Sequence, residues 1–158
     1  MSTVTYSEPA VDHAIDQRFV PLQIDVTQSA SQPLIERFHQ AWTPDLRVLG
    51  ADGFEYYRWN GYLPPFEFLP QLLVAQAQAC LRSHDDSGAA AVFDDVLLRF
   101  PTSHVAAEAQ YWSAVARYKQ NHAGSDLMSG WHRLQSRYPE SIWRVKQAFA
   151  EKPASNTA

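Results

Sequence analysis

The sequence predicts an α+β chain: a small sheet of about three strands followed by an α-helical array. Three observations carry that expectation. Three short runs rich in β-branched and aromatic residues (Phe19–Val26, Leu46–Leu49 and Phe54–Trp59) are bounded by turn-forming residues. From Pro65 onward, apolar residues recur at helical spacing. Within that second half, Phe93…Arg99-Phe100-Pro101-Thr102-Ser103 returns 38 residues later as Trp131…Arg137-Tyr138-Pro139-Glu140-Ser141. An offset of that size is the mark of stacked helical pairs.

The 158 residues are 46% hydrophobic and 19% charged, a balance that supports a packed core. Net charge is −4 and there is no basic block, so the phosphate neutralisation that nucleic acid demands has no source here. No apolar run is long enough to span a bilayer, and Met1 to Tyr6 has no basic region leading into an apolar one. The expectation is a cytoplasmic protein with neither a membrane nor a nucleic-acid partner.

In chain order, Ser7-Glu8-Pro9 opens a helix, with Ser7 as its cap and Val11, Ala14, Ile15 and Phe19 on one face. Phe19–Val26 reads as a strand, with Pro21 restricting it to an edge or a strand start. Pro33 to Gln40 is a short helix. Thr43-Pro44 then leads into a hairpin of Leu46–Leu49 and Phe54–Trp59 across the four-residue turn Gly50–Gly53. Pro64-Pro65 opens the next helix, where Pro70 implies a kink or a late start. Ser87, Ser103, Ser125 and Ser141 are read as the caps of the remaining helices, and Pro101 and Pro139 as stops. The polar segment 151–158 reads as a flexible tail.

The order helix, strand, helix, Thr-Pro, hairpin, Gly-Tyr-Leu-Pro-Pro, helix resembles a thioredoxin-like domain over residues ~3–80. Thr5-Tyr6-Ser7-Glu8-Pro9-Ala10-Val11 is similar to a segment that follows the cysteine pair in bacterial members of that family. Phe19–Asp25 is similar to the next strand, and Thr43-Pro44 to the pair that holds the family's cis-proline. Asp52-Gly53 and Gly61-Tyr62-Leu63-Pro64-Pro65 are similar to the hairpin turn and the lead into the last helix. The first strand of the family and its Cys-x-x-Cys have no counterpart here. The resemblance therefore implies a truncated sheet. Either the strands at Phe19–Val26 and Leu46–Leu49 close up and pair directly, or a second chain fills the gap as a homodimer.

Residues ~66–150 resemble tetratricopeptide-like repeats, most clearly at Tyr111-Trp112-Ser113-Ala114-Val115-Ala116-Arg117-Tyr118, although each repeat is longer and lacks the usual glycine near Ala114 or Ala116. The implied organisation is a thioredoxin-like part over 1–80 and a helical-repeat part over 65–150, sharing the helix 65–81 as one continuous body.

Reactive chemistry finds little support. Cys80 is the one cysteine. It stands late in a helix, where the dipole disfavours a thiolate, and there is no resolving partner, so an apolar packing role is expected. The histidines His13, His39, His84, His104, His122 and His132 form no His-x-x-x-His pair, so no metal is expected. Asp85-Asp86 and Asp94-Asp95 are adjacent on a helix or its lead-in and point apart, so neither is an acid–base dyad. No glycine-rich phosphate loop or nucleophile elbow occurs, and no cofactor is expected.

What remains is binding. The resemblance gives Thr43 and Pro44 as the cis-proline corner, a fold determinant that in the family also docks peptide. Trp42, Trp112 and Trp131 are the candidate peptide-contacting aromatics, with repeat-core packing the default for Trp112 and Trp131. The leading expectation is a non-catalytic protein that binds a protein or peptide through its helical repeats. The alternative is a thiol–disulfide oxidoreductase whose strand and Cys-x-x-Cys are missing from this sequence; a third is an oligomeric scaffold.

Overall fold

A computed structural model of the chain describes residues 5–151. Among them are seven α-helices and one two-stranded antiparallel sheet, an α+β architecture. The chain divides into two units, Met1–Leu69 and Pro70–Ala158.

In the first unit, α1 (Pro9–Arg18) begins with its proline in the first turn, where a missing N–H costs nothing. Its N-cap is Glu8 rather than Ser7, and no side chain caps it. Glu8 is the last extended residue, and its carbonyl accepts the N–H groups of Val11 (2.9 Å) and Asp12 (3.0 Å). Val11 and Ala14 are buried as the helical spacing expects. Thr5 donates its hydroxyl to the Leu63 carbonyl (2.9 Å), and Tyr6 and Trp59 both set ring edges against Phe68, which is 1% exposed.

The expected strand Phe19–Val26 is not formed, and the sheet has two strands, not three. The chain leaves α1 extended at Phe19 but pairs with no neighbour in a ladder, and Val20 and Leu22 stand 96% and 80% exposed. The direct closure of this segment onto Leu46–Leu49 therefore does not occur. The physical reason is that β-branched composition records a fit to a half-buried pleated surface, and here no such surface is supplied. Pro21, lacking an N–H, also removes one rung from any ladder.

The segment ends in a polar turn. The Asp25 carboxylate accepts the N–H and hydroxyl of Thr27 (2.9 and 2.7 Å), and Ser31 donates to the Asp25 carbonyl (2.7 Å). A 3₁₀ turn (Ser29–Ser31) then passes into α2 (Gln32–Arg37). The Thr43–Pro44 peptide bond is cis. Strands β1 (Asp45–Leu49) and β2 (Glu55–Asn60) pair from Asp45↔Asn60 to Leu49↔Glu55, with a bulge between Val48 and Leu49. Gly53 (φ +79°) makes the turn, and Gly61 (φ +94°) donates its N–H to the Pro44 carbonyl (2.9 Å), closing the other end of the hairpin.

Helix α3 (Pro65–Arg82) contains the division between the units. It starts at Pro65, not late, because the Pro64 carbonyl receives the Phe68 N–H (2.8 Å). Pro70 lies inside it and leaves the Phe66 carbonyl without its helical donor, next to a Phe66 side chain that is 71% exposed to water. Leu72, Leu73, Val74, Ala75 and Ala77 are all buried.

The second unit continues with α4 (Asp86–Arg99), α5 (Ala106–Asn121), α6 (Gly124–Arg137), α7 (Ile142–Lys146) and a 3₁₀ turn (Ala148–Glu151). The 38-residue sequence repeat is reproduced by the backbone. His84 and His122 both take the left-handed conformation (φ 64° and 56°) just before α4 and α6. Those helices have the same length and matching ends. They stop at Phe100 (φ −131°, ψ 51°) and Tyr138 (φ −133°, ψ 56°), and each of these carbonyls accepts the N–H of the serine three residues on at 3.1 Å. Phe93 and Val96 are buried in one repeat, Trp131 and Leu134 in the next. Helix α5 packs against α4, α6 and α7. A Cβ placed on Gly130 of α6 would lie 2.4 Å from the Ala114 Cβ of α5, so only glycine permits this approach.

The caps differ in part from expectation. Asp85, not Ser87, caps α4 by accepting the Gly88 N–H (2.8 Å). Ser125 lies inside α6, which begins at Gly124 without a side-chain cap. Ser103 accepts the Val105 N–H (3.3 Å), but the N-cap of α5 is Val105 itself. In these cases a short acid or a turn one or two residues earlier reaches the free N–H groups first. Ser141 caps α7 as expected, accepting the Arg144 N–H (3.2 Å). Of the expected tail, residues 152–158 lie outside the described residues.

Candidate functional site

The cis-proline corner belongs to the first unit. Trp42 beside it is 71% exposed, and its carbonyl accepts the Gln40 side-chain amide (2.7 Å). Inside the corner, Arg47 is anchored on three sides. Its guanidinium bonds Asp45 (2.7 Å), Glu55 and the Phe38 carbonyl (2.9 Å), and lies 4.8 Å from the Phe38 ring centre. The hydrogen bond to Asp45 holds the guanidinium further above its already high pKa. The side chains of Arg47 and Asp45 are only 11% and 7% exposed. A pair so enclosed ties the end of α2 to the hairpin and has a structural reading.

Cys80 is half-buried in α3. Burial, then the charge of Asp85, pushes its thiol above the ordinary value, the reverse of what a nucleophilic cysteine needs. Among the described residues no group of His, Cys, Asp and Glu could hold a metal ion. Three histidines, His39, His84 and His122, occupy left-handed turn positions, and His104 bonds Gln71 (2.9 Å).

The second unit gathers the aromatics. Tyr111 stacks on Trp131 (5.4 Å, 21°), and its ring meets Trp112 edge-on and Trp143 at a tilt. Trp131 is 5% exposed and Trp112 half-buried, so both belong to this packed cluster, whereas Trp42 lies in the other unit. The structure does not bring the three candidate tryptophans together as one surface.

What it does assemble is a groove of about 570 Å³ on α4, α5 and α6, within the size range of ligand sites. Asp94, Leu97 and Leu98 come from α4; Gln110, Ser113 and Arg117 from α5; Asp126, Ser129, Arg133 and Arg137 from α6. Its acids are engaged. Asp94 accepts the Ser113 hydroxyl (2.7 Å) and pairs with Arg117, and Asp126 accepts the Asn121 amide (2.6 Å). Asp95 points elsewhere and pairs with Arg99 (2.8 Å), so the tandem acids serve different partners as their helical spacing requires. Leu98 adds an apolar wall that is 81% exposed.

Sequence reasoning missed this groove. An arginine or serine on a helix reads as solvated surface when taken alone. The available signal was the repeat itself: sliding the chain by 38 residues sets α6 on α4 and shows that both groove walls are equivalent helix faces with different charges.

Comparison of the chain with protein-family models, curated proteins and solved structures gives no match.

Proposed function

We propose that the chain is a non-catalytic interaction protein whose helical repeats bind a protein or peptide, with tetratricopeptide-like packing in the second unit and a truncated thioredoxin-like fold in the first. The observation that carries this reading is the backbone repeat: helices α4 and α6, related by 38 residues, flank α5 and frame a three-helix groove. Repeats that stack in this way present extended surfaces built from several helices, which suits chain-like ligands. The chemistry on the page supports binding over catalysis, because the sole thiol is held protonated. The cis Thr43–Pro44 bond supports the thioredoxin-like reading of the first unit.

The test is selection of the purified protein against a displayed random-peptide library, followed by calorimetry on the enriched sequences. Enriched peptides should bind wild type and lose at least tenfold in affinity to Leu98→Asp, a change at an exposed groove position. Failure to enrich any sequence, or enrichment indifferent to Leu98→Asp, overturns the groove reading. Acceleration of insulin reduction by dithiothreitol, above that of Cys80→Ala, overturns the non-catalytic one.

A second reading is a thiol–disulfide oxidoreductase whose first strand and Cys-x-x-Cys lie upstream of Met1. One observation favours it: Val20 and Leu22 are fully displayed on a segment with strand composition and no strand beside it. An in-frame Cys-x-x-Cys codon pattern upstream would establish this reading, and a stop codon there would remove it.

A further inference from the structure

Helices α4 and α6 are equivalent, so their differences show what each repeat was given separately. In α4, Asp95 and Arg99 stand four residues apart and form an ion pair at 2.8 Å. At the corresponding positions of α6 stand Arg133 and Arg137. The acid has become a second arginine, and a supporting pair has become a like-charge pair that weakens an isolated helix by about 0.2–0.5 kcal/mol. Both arginines line the groove. Neither guanidinium has an acidic partner among the described residues, because Asp94, Asp95 and Asp126 are taken by Arg117, Arg99 and Asn121.

We infer that Arg133 and Arg137 form the anchor for a carboxylate side chain of an acidic peptide lying in the α4–α5–α6 groove. The inference rests on the peptide-binding reading above and adds to it the chemistry of the ligand. Arginine forks match a carboxylate in a bidentate way, and two of them on one helix face relieve their mutual repulsion on a shared anion. The groove carries three arginines and two aspartates, a net excess of one positive charge, which complements a singly charged carboxylate better than a doubly charged phosphate. Leu97 and Leu98 on the opposite wall provide a place for an apolar residue beside the acid. The preferred ligand is therefore a segment in which glutamate or aspartate alternates with aliphatic residues.

The experiment uses fluorescence anisotropy with an end-blocked, fluorescein-labelled octapeptide alternating leucine and glutamate. Two control peptides replace glutamate by glutamine or by phosphoserine. Wild-type protein should bind the glutamate peptide at least tenfold more tightly than the glutamine peptide and more tightly than the phosphoserine peptide. Arg133→Asp restores the α4 pattern on α6, so it should keep or raise the urea midpoint while lowering affinity for the glutamate peptide at least tenfold. Arg137→Gln serves as the second variant, with a smaller loss. Equal binding of the glutamate and glutamine peptides overturns the carboxylate anchor yet leaves peptide binding standing. Tighter binding of the phosphoserine peptide, full affinity in Arg133→Asp, or no binding of any of the three also overturns it. The charge-blind library selection described above judges the parent reading separately.

Discussion

Gly124 and Gly130 lie six residues apart on α6, and replacing each with alanine should move stability in opposite directions. In an ordinary helix the change is favourable, by up to about 1 kcal/mol, because glycine gives up the most backbone entropy on folding. At Gly124 a new Cβ meets nothing within 4 Å, so about 0.5 kcal/mol of gain is expected. At Gly130 the new Cβ sits 2.4 Å from the Ala114 Cβ and 3.2 Å from its Cα, while ordinary contact begins at 3.4 Å. Helices α5 and α6 must part by about 1 Å, at an overpacking cost of about 1–3 kcal/mol. The separation also strains the buried bond from the Gln110 amide to the Gly130 carbonyl (3.3 Å). The net expectation for Gly130→Ala is a loss of about 1–2 kcal/mol, or roughly 5–10 °C in Tm for a unit of this size. Urea titration followed by tryptophan emission reads the change directly, since Trp131 is the next residue. Adding Ala114→Gly should recover about 1 kcal/mol relative to the sum of the single changes. An urea midpoint for Gly130→Ala at or above that of wild type would refute the close approach of the two helices that frame the groove.

Three further outcomes follow from other sites. Asp85→Ala should cost about 1 kcal/mol by freeing the Gly88 N–H, whereas Ser87→Ala should be near neutral, both measured by urea unfolding. Arg47→Met should destabilise the first unit by about 3 kcal/mol, because the enclosed Asp45 carboxylate loses its partner, and Arg47→Met with Asp45→Leu should recover most of that loss. The Cys80 thiol is raised in the folded state. Its contribution is fully present below the unfolded thiol pKa and is lost as pH rises through the higher folded value. The stability difference between wild type and Cys80→Ala should therefore shrink above about pH 8.5. A thiol with normal alkylation kinetics at pH 8 and a flat difference curve would contradict this.

The second unit was largely legible in the sequence. Pro101 and Pro139 punctuate it, and the apolar positions Phe93, Val96, Trp131 and Leu134 recur with the backbone they imply. Its helix starts were less legible, because Asp85 and Ser87 are both competent caps and only the local backbone decides between them. In the first unit the hairpin followed from Gly53 and its flanking β-branched and aromatic runs. Phe19–Val26 was misread because its residue types state a preference for a sheet, while a strand needs a neighbour that residue types cannot supply. The groove escaped because arginine on a helix is uninformative until a second helix of known equivalence is laid beside it. The candidate tryptophans were read from their size, and size brings a residue into a core as readily as onto a binding face.

The left-handed histidines have a consequence for how this chain could be lengthened. His84 and His122 reverse the chain at the same point of successive repeats, so the piece from Asp86 through Ala123 begins and ends at matching joints. A second copy inserted between Ala123 and Gly124 would meet the same backbone geometry at both seams. The chain thus contains its own template for growth by whole modules, with a new groove formed at each addition.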